Sequence, residues 1–334
     1  MKNKISVILT FLLFAAIVAL MGYAIIRIVV KPQRPLTNAD IPQSTKDWFR
    51  DLLAGGADFG GILGPDFRDT SEWGSYEDVD SMHRIEDEYF VIFYSSIDSA
   101  VQKKKALVCK RYAHEAILKG DLFMKGYPHP SKMNGRKLPI YLGRNQSHFE
   151  DISSQVAGFR PGTSTMGFFS FEYGSDGIYA KGIFISPATW DMPDMMIDEN
   201  TEDEGFKATL WHEMNHFMYF AKWDYTQMNP PNLWFTEGLA EYFSDFRKRL
   251  ASVGNHKKYD LKKDYRDGSS EYWVGYSAFL CLEKNFGVSK VSETVAQSYK
   301  NPIDDAVQNA IPNENLDTWN NRWHMFMESK SYQR

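Results

Sequence analysis

The chain has 334 residues, of which 43% are hydrophobic and 24% charged, with a formal net charge of −5 at pH 7. This is the make-up of a folded protein, long enough for one large or two small domains and a sizeable core. It carries no clustered excess of Lys and Arg, so nucleic acid is not an expected partner, and the run Lys103-Lys104-Lys105 reads as a solvated helix face.

From Ile5 to Ile26 the chain is almost unbroken apolar sequence, preceded by Lys2 and Lys4. At about 1.5 Å per residue such a helix spans a bilayer core, so residues 1–31 are expected to be a single-pass membrane anchor. A cleaved signal peptide is the alternative, but Gly22-Tyr23-Ala24 is a poor cleavage site. Arg27, Lys31 and Arg34 flank the other end, so charge alone does not orient the segment. An amino terminus inside, with the folded part outside the cytoplasm, is the more usual arrangement. Residues 32–85 read as a tether and lead-in, punctuated by Pro32, Pro35, Pro42, Gly55-Gly56 and Gly60-Gly61.

The pattern then sharpens into an α+β domain over residues 86–330, with a small mixed sheet in 86–200 and a helical half in 201–330. Tyr89–Tyr94 and Leu138–Leu142 are strands by composition, and Gly177–Ser186 reads as one or two more. Between the first two, Asp98–Lys119 is predicted as a long helix with Asp98 as N-cap. Helices are also predicted at Glu271–Phe286, Lys290–Tyr299, Ile303–Ala310 and Leu316–Met327. Cys109 and Cys281 lie far apart in apolar settings, which suits two buried thiols, with a disulfide as the alternative.

The chemistry concentrates in Ala208–Ala221, which contains His212-Glu213-Met214-Asn215-His216. On a helix, residues four apart share one face, so both imidazoles can reach one ion while Glu213 stands beside them. The surrounding Phe206, Leu210, Phe217 and Phe220 predict a buried helix, and a buried Glu between two buried His needs partners. The bland alternative is an exposed helix whose His and Glu meet only water. Twenty-one positions after His216 comes Glu237. The intervening Asn229-Pro230-Pro231-Asn232 turns the chain, and a second helix starting near Trp234 and running through Phe246 carries Glu237 in its first turn. Two His and one carboxylate with an open fourth position is the zinc arrangement of metal-assisted hydrolysis, one Zn²⁺ being held by His212, His216 and Glu237. Glu213 is then the general base. Glu241, one turn after Glu237, reads either as the acceptor for the second ring N–H of a ligand His or as a solvated helix carboxylate.

Trp234-Phe-Thr-Glu-Gly-Leu-Ala-Glu-Tyr242 resembles the W-x-x-E-G-x-A-x-Y segment of the gluzincin metallopeptidases, the thermolysin-like and aminopeptidase-N-like group. The interval from His216 to Glu237 is a residue or two longer than usual there. Tyr272-Trp-Val-Gly275 is similar to the Y-x-x-G segment of the aminopeptidase-N-like branch, which implies that the Tyr272 phenol donates to the oxyanion; a plain helix-start aromatic is the other reading. The resemblance implies a zinc peptidase acting on a peptide or protein, and the apolar N-terminal segment is expected to hold it at a membrane. It also implies an edge strand over the cleft. Lys181–Ser186 is the candidate, with Gly182, Ile183 and Phe184 pairing with an extended peptide, unless that strand is paired on both sides. Its lack of the Glu of the family's G-x-M-E-N segment argues against a strong aminopeptidase preference. The alternative from another class is a membrane-tethered binding or assembly module that keeps zinc for structure.

Overall fold

The computed structural model describes residues 77–124, 137–173, 178–190, 204–223, 231–245, 255–265 and 270–330. All belong to the second of two compact units, Pro42–Arg334. The expected anchor and almost all of the tether lie outside the described residues. Among the described residues, no helix is long and apolar enough to cross a membrane.

Five strands form one mixed sheet: β1 (His83–Glu86), β2 (Phe90–Tyr94), β3 (Leu138–Leu142), β4 (Gly167–Tyr173) and β5 (Ile178–Ile185), in the order β1-β2-β3-β5-β4. β2, β3 and β5 run parallel, and β1 and β4 lie antiparallel at the two edges. Long helix α1 (Ser99–Phe123) connects β2 to β3, and α2 (Gln146–Val156) follows β3. The period-2 alternation of the strands feeds two cores. Ile92, Ile140, Ile183, Ile185, Phe169 and Phe171 face the main core with α1. Tyr141, Phe168 and Phe184 face a smaller core closed by Phe149 and Ile152 of α2. Rings of Phe93, Tyr141, Phe184 and Phe168 stack across neighbouring strands there, with centroids 4.8, 4.8 and 4.6 Å apart.

The helical half consists of α3 (Glu204–Phe220), α4 (Leu233–Ser244), α5 (Ser270–Phe286), α6 (Val288–Ser298), α7 (Ile303–Ala310) and α8 (Leu316–Glu328). Its core is built on Trp234, Trp319 and Trp323. The last two satisfy their indole N–H groups on Ala278 O (3.1 Å) and Ser277 Oγ (2.9 Å). Asn315 and Thr318 form a reciprocal capping box that starts α8.

Several local expectations need correction. Asp98 precedes α1 but does not cap it with its side chain: it sits at φ 53°, ψ 38°, in the left-handed region rather than the extended backbone of a capping residue. Helix α4 stops at Ser244 rather than Phe246, since Asp245 takes the left-handed conformation that terminates a helix. The sheet half also begins before residue 86. β1 starts at His83, and Glu77 is already buried. Both cysteines are free and buried, with Cys281 pushed up to about 12 chiefly by burial.

Glu77 ties the incoming chain to the ends of two parallel strands. Its carboxylate accepts from Ser95 Oγ (2.5 Å), Ser96 N (2.7 Å) and Ser96 Oγ (2.6 Å), and His148 Nε2 lies 3.2 Å away. Burial raises the Glu77 pKa, but the two serines and His148 outweigh it, and the net shift is downward. A lowered carboxylate contributes stability that is present above its unfolded pKa and lost as pH falls through the folded one. Denaturant titration of the Glu77→Ala chain is therefore expected to show a loss of about 2–3 kcal/mol at neutral pH that shrinks on acidification below the usual carboxylate range. A loss that stays constant into acid would contradict this.

Candidate metal centre

Helix α3 presents His212 and His216 on one face, four residues apart, as its period requires. The chain turns through Pro231 and starts α4, whose first free N–H, on Leu233, donates to Asp264 Oδ1 at 2.6 Å. Glu237 thus comes to the imidazole pair. His212 Nε2 lies 3.0 Å from His216 Nε2 and 3.1 Å from Glu237 Oε2, and His216 Nε2 lies 3.4 Å from the same oxygen. A tetrahedral zinc ion with bonds near 2.0–2.1 Å sets its ligand atoms about 3.3 Å apart. The triangle of donor atoms therefore has the size of one face of that tetrahedron. Among the described residues it is the one group of three or more such side chains that converge on a point.

The tautomers suit the same assignment. Glu241 Oε1 stands 3.3 Å from His212 Nδ1, so the ring proton belongs there and the Nε2 lone pair faces the centre. Glu241 is buried, which rules out the solvated reading. Burial works to lower the His212 pKa, but Glu237, Glu241 and Glu213 outweigh it and raise it to about 10. Glu237 is held far below the carboxylate range: burial opposes this, while His216 and His212 drive it. Both shifts follow from the mutual attraction of the imidazoles and the carboxylates packed against them.

Glu213 is buried beside the triangle. Burial pushes its pKa up, partly offset by His212, His216 and a hydrogen bond from the Phe169 backbone. A carboxylate whose pKa is raised is a better proton acceptor than an ordinary one. Tyr272, in the first turn of α5, packs its ring against His212 with centroids 6.0 Å apart. All six residues expected at the centre (His212, Glu213, His216, Glu237, Glu241 and Tyr272) are thus brought together.

The expected peptide-binding strand is not. Gly182, Ile183 and Phe184 lie in β5, which is paired on one side with β3 and on the other with β4. Ile183 and Phe184 are fully buried, and the backbone of β5 has no free edge. Gly182 serves packing instead: at φ 151°, an added Cβ would lie 2.7 Å from the Tyr141 ring and 3.0 Å from Pro139 O. The edge on this side is β4, antiparallel to β5, with no further strand beyond it among the described residues. β4 runs against α3: a Cβ on Gly167 would meet Thr209 Cγ2 at 2.8 Å, and the Phe169 backbone reaches Glu213. The edge position expected for Lys181–Ser186 thus belongs to a different segment, Gly167–Tyr173. The signal for β4 was present in Gly167-Phe-Phe-Ser-Phe-Glu-Tyr173, a run of strand-favouring aromatics.

No protein-family model matches the chain, and no curated protein compared with it matches.

Proposed function

We propose that the chain is a membrane-anchored zinc metallopeptidase, with the metal held by His212, His216 and Glu237. The observation that carries this reading is the convergence of three donor atoms at 3.0–3.4 Å beside a buried carboxyl that is not one of them. A purely structural zinc site is closed by four protein ligands and has no use for such a carboxyl. A bound zinc ion supplies Lewis-acid activation of water and of a substrate carbonyl.

The chain's own residues do the rest. Glu241 holds the proton on His212 Nδ1 and so fixes the ring's orientation. Glu213 takes a proton from the attacking water on its carboxylate and returns it to the leaving amine nitrogen, so the proton balance closes within one turnover. The Tyr272 phenol donates to the oxygen of the former carbonyl, where charge is largest in the transition state. β4, at the edge of the described sheet, runs alongside Glu213 and is the strand an extended substrate would pair with. The N-terminal apolar segment keeps this site near a membrane surface, outside the cytoplasm, with peptides or proteins there as substrates.

Removal and return of the metal tests the reading. The purified chain is expected to hold one zinc per molecule, to lose zinc and peptide cleavage together on dialysis against a chelator, and to recover both when zinc is restored. Undiminished cleavage by the metal-free chain would sink it.

A further inference from the structure

Helix α1 has an outward face unlike the rest of the surface. Four of the six exposed large apolar side chains among the described residues lie on it: Val101, Leu107, Leu118 (68% exposed) and Leu122 (84%). Lys104, Leu107, Arg111, Leu118 and Leu122 follow one another at steps of three, four, seven and four residues. On an α-helix these fall in one stripe, about 60° wide and about 27 Å long. Lys103 and Val101 border it.

The charges on this helix divide by direction. Lys105 sits over the Trp190 ring, Lys110 reaches Asp87 at 3.5 Å, and Lys119 lies over Trp211. These three are engaged with the body of the domain. Lys103, Lys104 and Arg111 are exposed; the Arg111 guanidinium lies over the ring of its neighbour Tyr112, and no ion pair holds any of the three among the described residues. Of the two acidic side chains on α1, Glu115 pairs with Lys207 at 3.0 Å, and Asp121 is exposed. A chain with a net charge of −5 thus turns a basic, leucine-bearing face outward.

Leucines between lysines and arginines match a lipid surface: apolar side chains enter the acyl boundary while the cations meet headgroup phosphates. Nucleic acid would answer the cations but offer the leucines nothing. We infer that the Lys104–Leu122 face of α1 docks the domain on an anionic lipid surface. The inference rests on the proposal that the N-terminal segment anchors the chain, because tethering raises the local concentration of bilayer that a weak contact of this kind needs.

The full chain, reconstituted in vesicles of phosphatidylcholine alone or with phosphatidylglycerol, tests this. An environment-sensitive fluorophore is attached at Leu118→Cys, at Leu122→Cys or, as a control on another element, at Lys263→Cys; the native cysteines are buried and leave the label to the new thiol. Flotation with the neutral vesicles after a high-salt wash reports the anchor separately. The expected result is a blue shift at positions 118 and 122 on the anionic vesicles, none on the neutral ones and none at 263. Combining Lys103→Gln, Lys104→Gln and Arg111→Gln should weaken the docked state on the order of a hundredfold. Labels at 118 and 122 that stay water-like on anionic vesicles would overturn the inference. So would an equal shift on neutral vesicles, or a shift without vesicles that grows with protein concentration, which would assign the face to a second copy. If the chain fails to float with neutral vesicles the anchor is wrong, and the label on anionic vesicles still decides the docking.

Discussion

Glu213→Gln is expected to lower the rate of peptide cleavage by about 10²–10⁴-fold while leaving one zinc bound per chain. Gln has the size of Glu and can still accept from the Phe169 backbone, so the local packing survives. What it cannot do is take a proton. The loss should fall on kcat rather than KM, because the group acts on the water and the leaving nitrogen and not on substrate binding. Zinc analysis beside steady-state kinetics checks it. A variant that keeps its zinc and its rate would show that another group moves the proton.

Gly275→Ala is expected to be the most damaging single methyl group in the described domain. Helices α4 and α5 cross so closely that a Cβ on Gly275 would lie 1.9 Å from Trp234 O and 2.5 Å from Gly238 Cα. On the other side, a Cβ on Gly238 would lie 2.2 Å from Gly275 Cα. The obstructing atoms are backbone, so no side-chain rotation relieves the overlap, and the helices must separate. Overpacking of this kind costs about 3 kcal/mol, the top of the usual range, or more. For a domain of this size that is a fall in Tm of roughly 6–12 °C. The same crossing positions the chemistry. Gly238 adjoins Glu237, the proposed metal ligand, and Gly275 follows Tyr272 by one turn, so separated helices move the phenol away from His212. A thermal melt with parallel kinetics should show both losses. A melt and a rate like those of the original chain would mean that the crossing is looser than described.

The two helix-borne halves of the centre were legible because they depend on local periodicity. His212 and His216 share a face by helical geometry alone, and the Pro-rich turn before Leu233 predicts the return that brings Glu237 back. Helices α5 to α8 likewise fall within two residues of their expected bounds, since each carries its own apolar period. Strand order is a different kind of information. Nothing within Ile178–Ile185 says that β3 pairs on one side and β4 on the other; that depends on where two distant segments go. Of the two readings of Lys181–Ser186, a free edge or a strand paired on both sides, the structure therefore shows the second. Asp98 shows the same limit on a smaller scale: its residue type suits an N-cap, but its left-handed backbone leaves the side chain unused as a cap. Helix α2 went unread, although Asn145 caps it by accepting from His148 N.

The central claim is that this metal centre performs catalysis rather than holding the fold together. Digestion of a broad peptide library by the chain loaded with one equivalent of zinc, read by mass spectrometry, tests it most directly. Catalysis predicts time-dependent cleavage products that vanish with chelation. A chain that holds its full equivalent of zinc and yields no product from any peptide would contradict the account and make the site a structural one.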